Sequence, residues 1–412
     1  METVVSKLEE APIAKKDTWL IKRCRTIVFS ILRKLPSGHI TIVENNKEIA
    51  FGEKPENTDI VARINITCPE TYVYLVKSGS IGAAEAYFEK RWESPDLTAV
   101  IRVFARAQHV LDKLEKYTSW FTKMKNKIFH YQNRNSKEGS KKNILAHYDL
   151  GNELYTRFLD KEMMYSSAIY KEQGDTLEQA QINKLDLICQ RLELSENDHL
   201  LEIGTGWGGL AIYAAQHYGC RVTTTTISDA QWEYANERVK ALGLQDKITL
   251  LKEDYRNLTG QYDKLVSIEM IEAVGYQYMD SFFKTCNARL KTGGKMLIQS
   301  ITIADQRFDH YLNNVDFIQR YIFPGGFLPS IQLLSEKVAK KTDAVIEGLH
   351  DIGLDYAKTL ADWRERFLAS WPELVNLGYD EQFKRLWVFY LGYCEGAFLE
   401  RSTSTVHLIA RK

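Results

Sequence analysis

What this chain lacks narrows it first. Its 412 residues carry no net charge, 54 basic side chains against 54 acidic ones, so no overall field draws it to nucleic acid. Six cysteines, at positions 24, 68, 189, 220, 286 and 394, include no C-x-x-C pair. That argues against a metal ribbon or a disulfide scaffold and fits reduced thiols in a cytoplasmic protein. No run approaches the roughly 18 apolar residues of a membrane span, and no N-terminal stretch has signal-peptide form. No internal repeat is visible. A hydrophobic content of 44% is ample for a large core, and the length allows two or three domains. The expectation is a soluble or peripheral protein that binds no metal and no nucleic acid.

The charge that is present is unevenly placed. Lys15, Lys16, Lys22, Arg23, Arg25, Arg33 and Lys34 are opposed only by Asp17, and residues 113–142 are also basic. Residues 1–17 read as disordered. Trp19 to Arg33 reads as a basic amphipathic helix with Trp19, Ile27 and Ile31 on one face, suited either to a core or to a membrane surface. Segments 40–43, 48–52 and 62–67 read as short strands and 78–117 as helical, a small α+β domain over residues 1–125. The polar, aperiodic stretch 133–142 places a linker at 126–142. From 143 to 412, strands at 199–203, 221–227, 248–252, 263–268 and 295–303 alternate with helices at 210–218, 229–242 and 279–290. That alternation predicts a parallel sheet covered on both faces. An insert at 305–350 precedes helices at 358–370 and 381–399.

The most informative stretch is His199-Leu200-Leu201-Glu202-Ile203-Gly204-Thr205-Gly206-Trp207-Gly208-Gly209. It reads as an apolar strand, a carboxylate, a glycine turn and the start of a helix. Glycines allow a ligand to approach the backbone, and the helix start offers free N–H groups. E-x-G-x-G-x-G resembles motif I of class I methyltransferases, which use S-adenosylmethionine. Gly204, Gly206 and Gly209 also satisfy the dinucleotide pattern G-x-G-x-x-G. That pattern wants an acid ending the next strand, where this chain has Thr223 to Thr226 and then Ser228-Asp229. A dehydrogenase and a merely structural turn stay open at this point.

Further segments make the resemblance specific. They are His147–Asn152, Tyr165–Ala168, Leu201–Gly209, Thr226–Gln231, Asp254–Arg256, Glu269–Gly275, Tyr321–Gly326 and Asp351–Tyr356. In this order they resemble the cyclopropane-fatty-acyl-phospholipid synthases from about residue 36 to the end. The resemblance implies a Rossmann-like class I methyltransferase domain with a mostly parallel seven-stranded sheet behind a lipid-binding N-terminal domain. It implies transfer of a methylene from S-adenosylmethionine to a cis double bond of a phospholipid acyl chain, through a carbocation. Cofactor contacts would come from Tyr165, Ser166, Glu202, Gly204, Thr205, Gly206, Trp207 and Gly208. Thr226, Ile227, Ser228 and Gln231 would face the ribose, and Asp254, Tyr255 and Arg256 the adenine. Unsaturated phospholipids at the inner membrane surface, and a second copy of the chain, are the partners considered.

In this family a bicarbonate ion serves as base. Glu272 and Tyr356 match two of its holders, while Ser167 stands where cysteine is common and Gln299 where histidine is common, with Ile301 beside them. Serine and glutamine can still donate to an anion. A 10-methyl or furan-precursor acyl methyltransferase, a small-amine N-methyltransferase and a non-catalytic lipid-binding module are the alternatives.

Overall fold

The computed structural model describes residues 17–108 and 151–412. The expected disorder before residue 17, the linker at 126–142, the domain limits at 125 and 143, and residues 147–150 lie outside the described residues. The chain divides into two compact units.

The first unit holds a four-stranded sheet of β1 (His39–Glu44), β2 (Lys47–Gly52), β3 (Val61–Ile66) and β4 (Trp92–Glu93), in the order β2-β1-β3-β4. β1 and β2 pair antiparallel around Asn45-Asn46, both with positive φ, the backbone that suits a tight hairpin with asparagine. The helix Trp19–Leu32 starts at Thr18, whose hydroxyl accepts from the Ile21 N–H, and buries Ile21, Cys24, Val28 and Leu32 at helical spacing. Trp19 and Ile27 are on its outer side, exposed. The unit also takes in residues 313–322 and 368–402, which the sequence reading placed in the catalytic domain. Arg385, on the helix Glu381–Leu399, lies 4.0 Å over the Tyr87 ring and donates to the Tyr87 carbonyl at 2.7 Å. Phe389 on the same helix packs against Tyr87, Phe88 and Trp92.

The second unit is built on seven strands: β5 (His199–Ile203), β6 (Arg221–Thr226), β7 (Ile248–Lys252), β8 (Tyr262–Ile268), β9 (Leu290–Ile303), β10 (Val345–Asp351) and β11 (Thr403–Arg411). Their order is β10-β11-β9-β8-β5-β6-β7. The pairs among β5 to β9 are parallel, and β11 runs antiparallel to both β9 and β10. Apolar layers cover both faces, one around Phe282, Phe283 and Leu334 and the other around Leu185, Ile188 and Leu210. This is the mostly parallel, Rossmann-like sheet that was expected. β10 and β11 were not foreseen as strands. β10 is an edge strand whose residues alternate between exposed and half-buried, with Glu347, Gly348 and His350 interrupting any apolar run. β11 opens on Thr403-Ser404-Thr405, and its burial arises only from its place between β9 and β10.

Among the described residues, no helix is long and apolar enough to cross a membrane, and no group of three His, Cys, Asp or Glu is placed to hold a metal ion.

Candidate active site

The chain leaves β5 for β6 and β7 on one side, then crosses to β8 on the other. The carboxyl ends of β5 and β8 therefore flank the point where strand order reverses, where open α/β sheets bind ligands. Gly204, Gly206 and Gly208 all have positive φ (101°, 53° and 89°). A Cβ on Gly204 would meet Met270 at 3.1 Å and one on Gly208 would meet Ala235 at 3.2 Å, so these glycines let neighbouring segments close up. Gly206 differs. Among the described residues nothing lies within 4 Å of a Cβ there, so its backbone faces open space at the strand end, as a turn cradling a ligand requires.

Glu202 is buried and turned into the sheet. Its Oε2 accepts from the Thr224 hydroxyl at 2.6 Å, and Thr224 in turn meets Thr205 at 2.7 Å. Burial pushes its carboxyl up to about 8, the Thr224 bond opposing that. Trp207 is buried and donates to Asn152. At the end of β6 the ribose candidates meet one another: Thr226 donates to the Gln231 side chain at 2.9 Å, and the Ser228 hydroxyl caps the helix Asp229–Ala241 by accepting from the Gln231 N–H. Ile227 between them is half-buried. Beyond β7, Asp254 accepts from Arg256 through both carboxylate oxygens (2.8 and 2.6 Å), and Arg256 lies against the Tyr255 and Tyr278 rings. Asp254 Oδ1 also accepts from the Arg256 N–H at 2.9 Å, so Arg256 holds this carboxylate through backbone and side chain together.

Tyr165 sits in an aromatic cluster with Tyr155, Phe158, Phe323 and Trp363, and Trp363 also meets Tyr356 edge-on. Ser166 accepts from Lys184 Nζ at 2.7 Å. Lys184 is fully buried on the helix Leu177–Leu192, and desolvation lowers its ammonium to about 8 against the pull of Glu269 and Asp160. Sequence reasoning missed it because it falls within the apolar stripe of that helix.

The residues expected around a bicarbonate do not converge on Glu272. Glu272 Oε1 accepts from the Ile301 N–H at 2.6 Å and the Ser300 hydroxyl at 3.0 Å, and among the described residues no donor meets its buried Oε2. Tyr356, Gln299 and Ser167 meet Glu269 instead. Tyr356 donates to Oε2 at 2.7 Å, while Gln299 Nε2 and the Ser167 N–H donate to Oε1 at 2.7 and 3.0 Å. The Ser167 hydroxyl, expected to hold the anion, donates to the Ala168 carbonyl. Behind Gln299, its Oε1 lies 2.8 Å from His407 Nε2, and His407 Nδ1 meets Arg191. Burial first, then the charges of Arg191 and Lys184, hold His407 well below its ordinary pKa. Desolvation raises Glu269, and desolvation followed by the Glu269 charge pushes Glu272 up to about 8.

These shifts have a consequence for stability. A carboxyl whose folded pKa exceeds its unfolded one contributes stability at low pH and loses it as the pH rises to the folded value. For Glu272 that window runs from 4.5 to about 8. The stability of the ligand-free wild type relative to Glu272→Gln should therefore fall by on the order of 1 kcal/mol per pH unit between about pH 6 and 8. Thermal denaturation of both proteins across that range measures it, and a flat difference would show that Glu272 ionises normally.

Comparison with known proteins agrees with this geometry. Residues 135–408 match the family model described as mycolic acid cyclopropane synthetase. The cyclopropane-fatty-acyl-phospholipid synthase of Escherichia coli (strain K12) is 37% identical over 84% of this chain and 86% of its own length. The tuberculostearic acid methyltransferase UfaA1 of Mycobacterium tuberculosis is 36% identical over 78% of this chain and 76% of its own. Among solved structures, the mycolic acid cyclopropane synthase CmaA1 complexed with SAH and CTAB superposes with a TM-score of 0.62. It is 28% identical and covers 66% of this chain and 98% of that one.

Proposed function

The chain belongs to the mycolic acid cyclopropane synthetase family, and we propose that its site works on unsaturated phospholipid at a membrane surface. It is an S-adenosylmethionine-dependent methyltransferase that cyclopropanates unsaturated lipid. S-adenosylmethionine supplies an electrophilic methyl group. The open space at Gly206 is the observation that carries the cofactor assignment. Thr226, Ser228 and Gln231 are set for the ribose, Asp254 for the adenine, and Glu202 braces the turn from below. An alkene that accepts a methyl becomes a carbocation; the rings near Tyr165 and Trp363 offer it π faces, and Glu272 adds negative charge as it ionises toward about pH 8. The same apolar rings keep out water, which would trap the cation as an alcohol.

Expression in a host without such an enzyme, followed by mass spectrometry of its fatty acids, tests the reading. The expected product is heavier by one CH₂ with the double bond lost, and fragmentation should show a ring. A methyl-branched chain would favour the 10-methyl alternative, and unchanged lipids would overturn the reading.

The membrane contact is proposed for the outer side of the helix Trp19–Leu32. There Trp19 is 70% exposed, Ile27 is 38% exposed, and Arg23 lies over the Trp19 ring. Arg25 does not belong to that surface, because Asp17 and Glu44 pair with it at 2.7 and 2.6 Å. Lys22, Arg23, Arg33 and Lys34 are each expected to contribute on the order of 1 kcal/mol near an anionic surface. Reversing these four should strongly lower co-sedimentation with anionic vesicles, and adding Trp19→Ala should lower it further. Unchanged sedimentation would make this helix purely structural.

A further inference from the structure

We propose that Glu269 is the base of the reaction, its own carboxylate standing where the family resemblance implies a bicarbonate ion. This rests on the cyclopropanation reading above. Two of the groups expected to hold the anion already engage this side chain, Tyr356 on one oxygen and Gln299 on the other, where the Ser167 N–H joins it. With these donors engaged, the residues present do not form a bicarbonate site.

The direction of the hydrogen bonds supports the same role. A guanidinium only donates, so His407 Nδ1 accepts from Arg191 and the ring proton of a neutral His407 is on Nε2. Nε2–H then donates to Gln299 Oε1, which turns the Gln299 amide NH₂ toward Glu269. The chain of donors ends on Glu269, whose two oxygens accept all three bonds, as a carboxylate can. Arg191, His407 and Gln299 are positioning residues in this arrangement.

The backbone adds an independent observation. Glu269 has φ 47°, in the left-handed region where glycine is unstrained and other residues are uncommon. It directly follows β8, at the strand end beside the glycine turn. A half-buried acid at a strained position, clamped by three donors, is the pattern of a site residue rather than of a packing residue.

In the step, the methyl carbon bonds to one alkene carbon as the C–S pair leaves with sulfur, and the neighbouring carbon becomes cationic. Glu269 takes a proton from the new methyl group, and the C–H electron pair closes the second C–C bond. The products are the cyclopropane, S-adenosylhomocysteine and a protonated Glu269, which returns its proton to solvent before the next turnover. Three hydrogen bonds hold the carboxylate in place and disfavour its collapse onto the cation as an ester.

The test compares the full-length wild type with Glu269→Gln and Glu269→Gly. Wild-type turnover should be indifferent to bicarbonate, depleted or added. Glu269→Gln should lose about 100-fold or more in turnover, the usual contribution of a positioned base, while S-adenosylhomocysteine affinity stays within about threefold because the glycine turn is untouched. Glu269→Gly relieves the left-handed strain and so keeps the fold. It should be inactive, recover with added formate or bicarbonate, and bind labelled bicarbonate by NMR where the wild type does not. Wild-type turnover that rises with bicarbonate, or near-normal turnover in Glu269→Gln, would overturn the assignment alone. A wild type that forms no lipid heavier by CH₂ would overturn the cyclopropanation reading with it.

Discussion

Gly206→Val is expected to weaken S-adenosylmethionine binding by at least about 100-fold, close to 3 kcal/mol. Two effects act together. The position has φ 53°, which a β-branched residue tolerates poorly. Its Cβ would also enter space that no described protein atom within 4 Å occupies, the space a cofactor needs. Gly206→Ala, with one added carbon, should fall between the two proteins. Calorimetric titration measures the affinities, and near-unchanged melting shows that the sheet survives. Unaltered affinity in Gly206→Val would remove the glycine turn from the cofactor site, and tight NAD binding would revive the dinucleotide reading.

The second large effect is expected at Glu272. Glu272→Gln should reduce turnover on the order of 100- to 1000-fold, the range seen when a group stabilising developing charge is removed. Cofactor affinity should hold, because the amide oxygen can still accept from the Ile301 N–H and the Ser300 hydroxyl. Assayed above about pH 8, where Glu272 is ionised, what disappears is the negative charge of the carboxylate whose Oε2 no described donor meets. Tyr356→Phe removes one of three bonds to Glu269 and should be milder. Normal turnover in Glu272→Gln would reduce this residue to a clasp between the end of β8 and β9.

Much of the catalytic half was legible because its physics is local. The run Leu200-Leu201 with Ile203 is apolar on both faces, as a central parallel strand must be, and the helix at 381–399 has the bounds its periodicity predicts. β10 and β11 were not legible, since their pairing depends on partners far away in sequence. The glycine turn could be read because its residue types are conformational requirements. The arrangement around Glu269 could not. Nothing in Glu269-Met270-Ile271-Glu272 says which acid the distant Tyr356 and Gln299 will reach, and a left-handed φ at a glutamate leaves no mark in composition. Ser167 shows the same limit: its side chain suggested a hydroxyl donor, while the fold uses its N–H.

The helix carrying Arg385 and Phe389 also bears on the order in which the protein can be made. Tyr87, Phe88 and Trp92 leave the ribosome early, yet the ring and guanidinium that pack on them come from residues 385 and 389. Synthesis from the N-terminus cannot finish the first unit before the second has almost wholly emerged. During that interval the nascent chain presents apolar rings to solvent, the kind of surface that chaperones bind and that aggregates in their absence. Loss of the last few dozen residues would thus injure the beginning of the protein as much as its end.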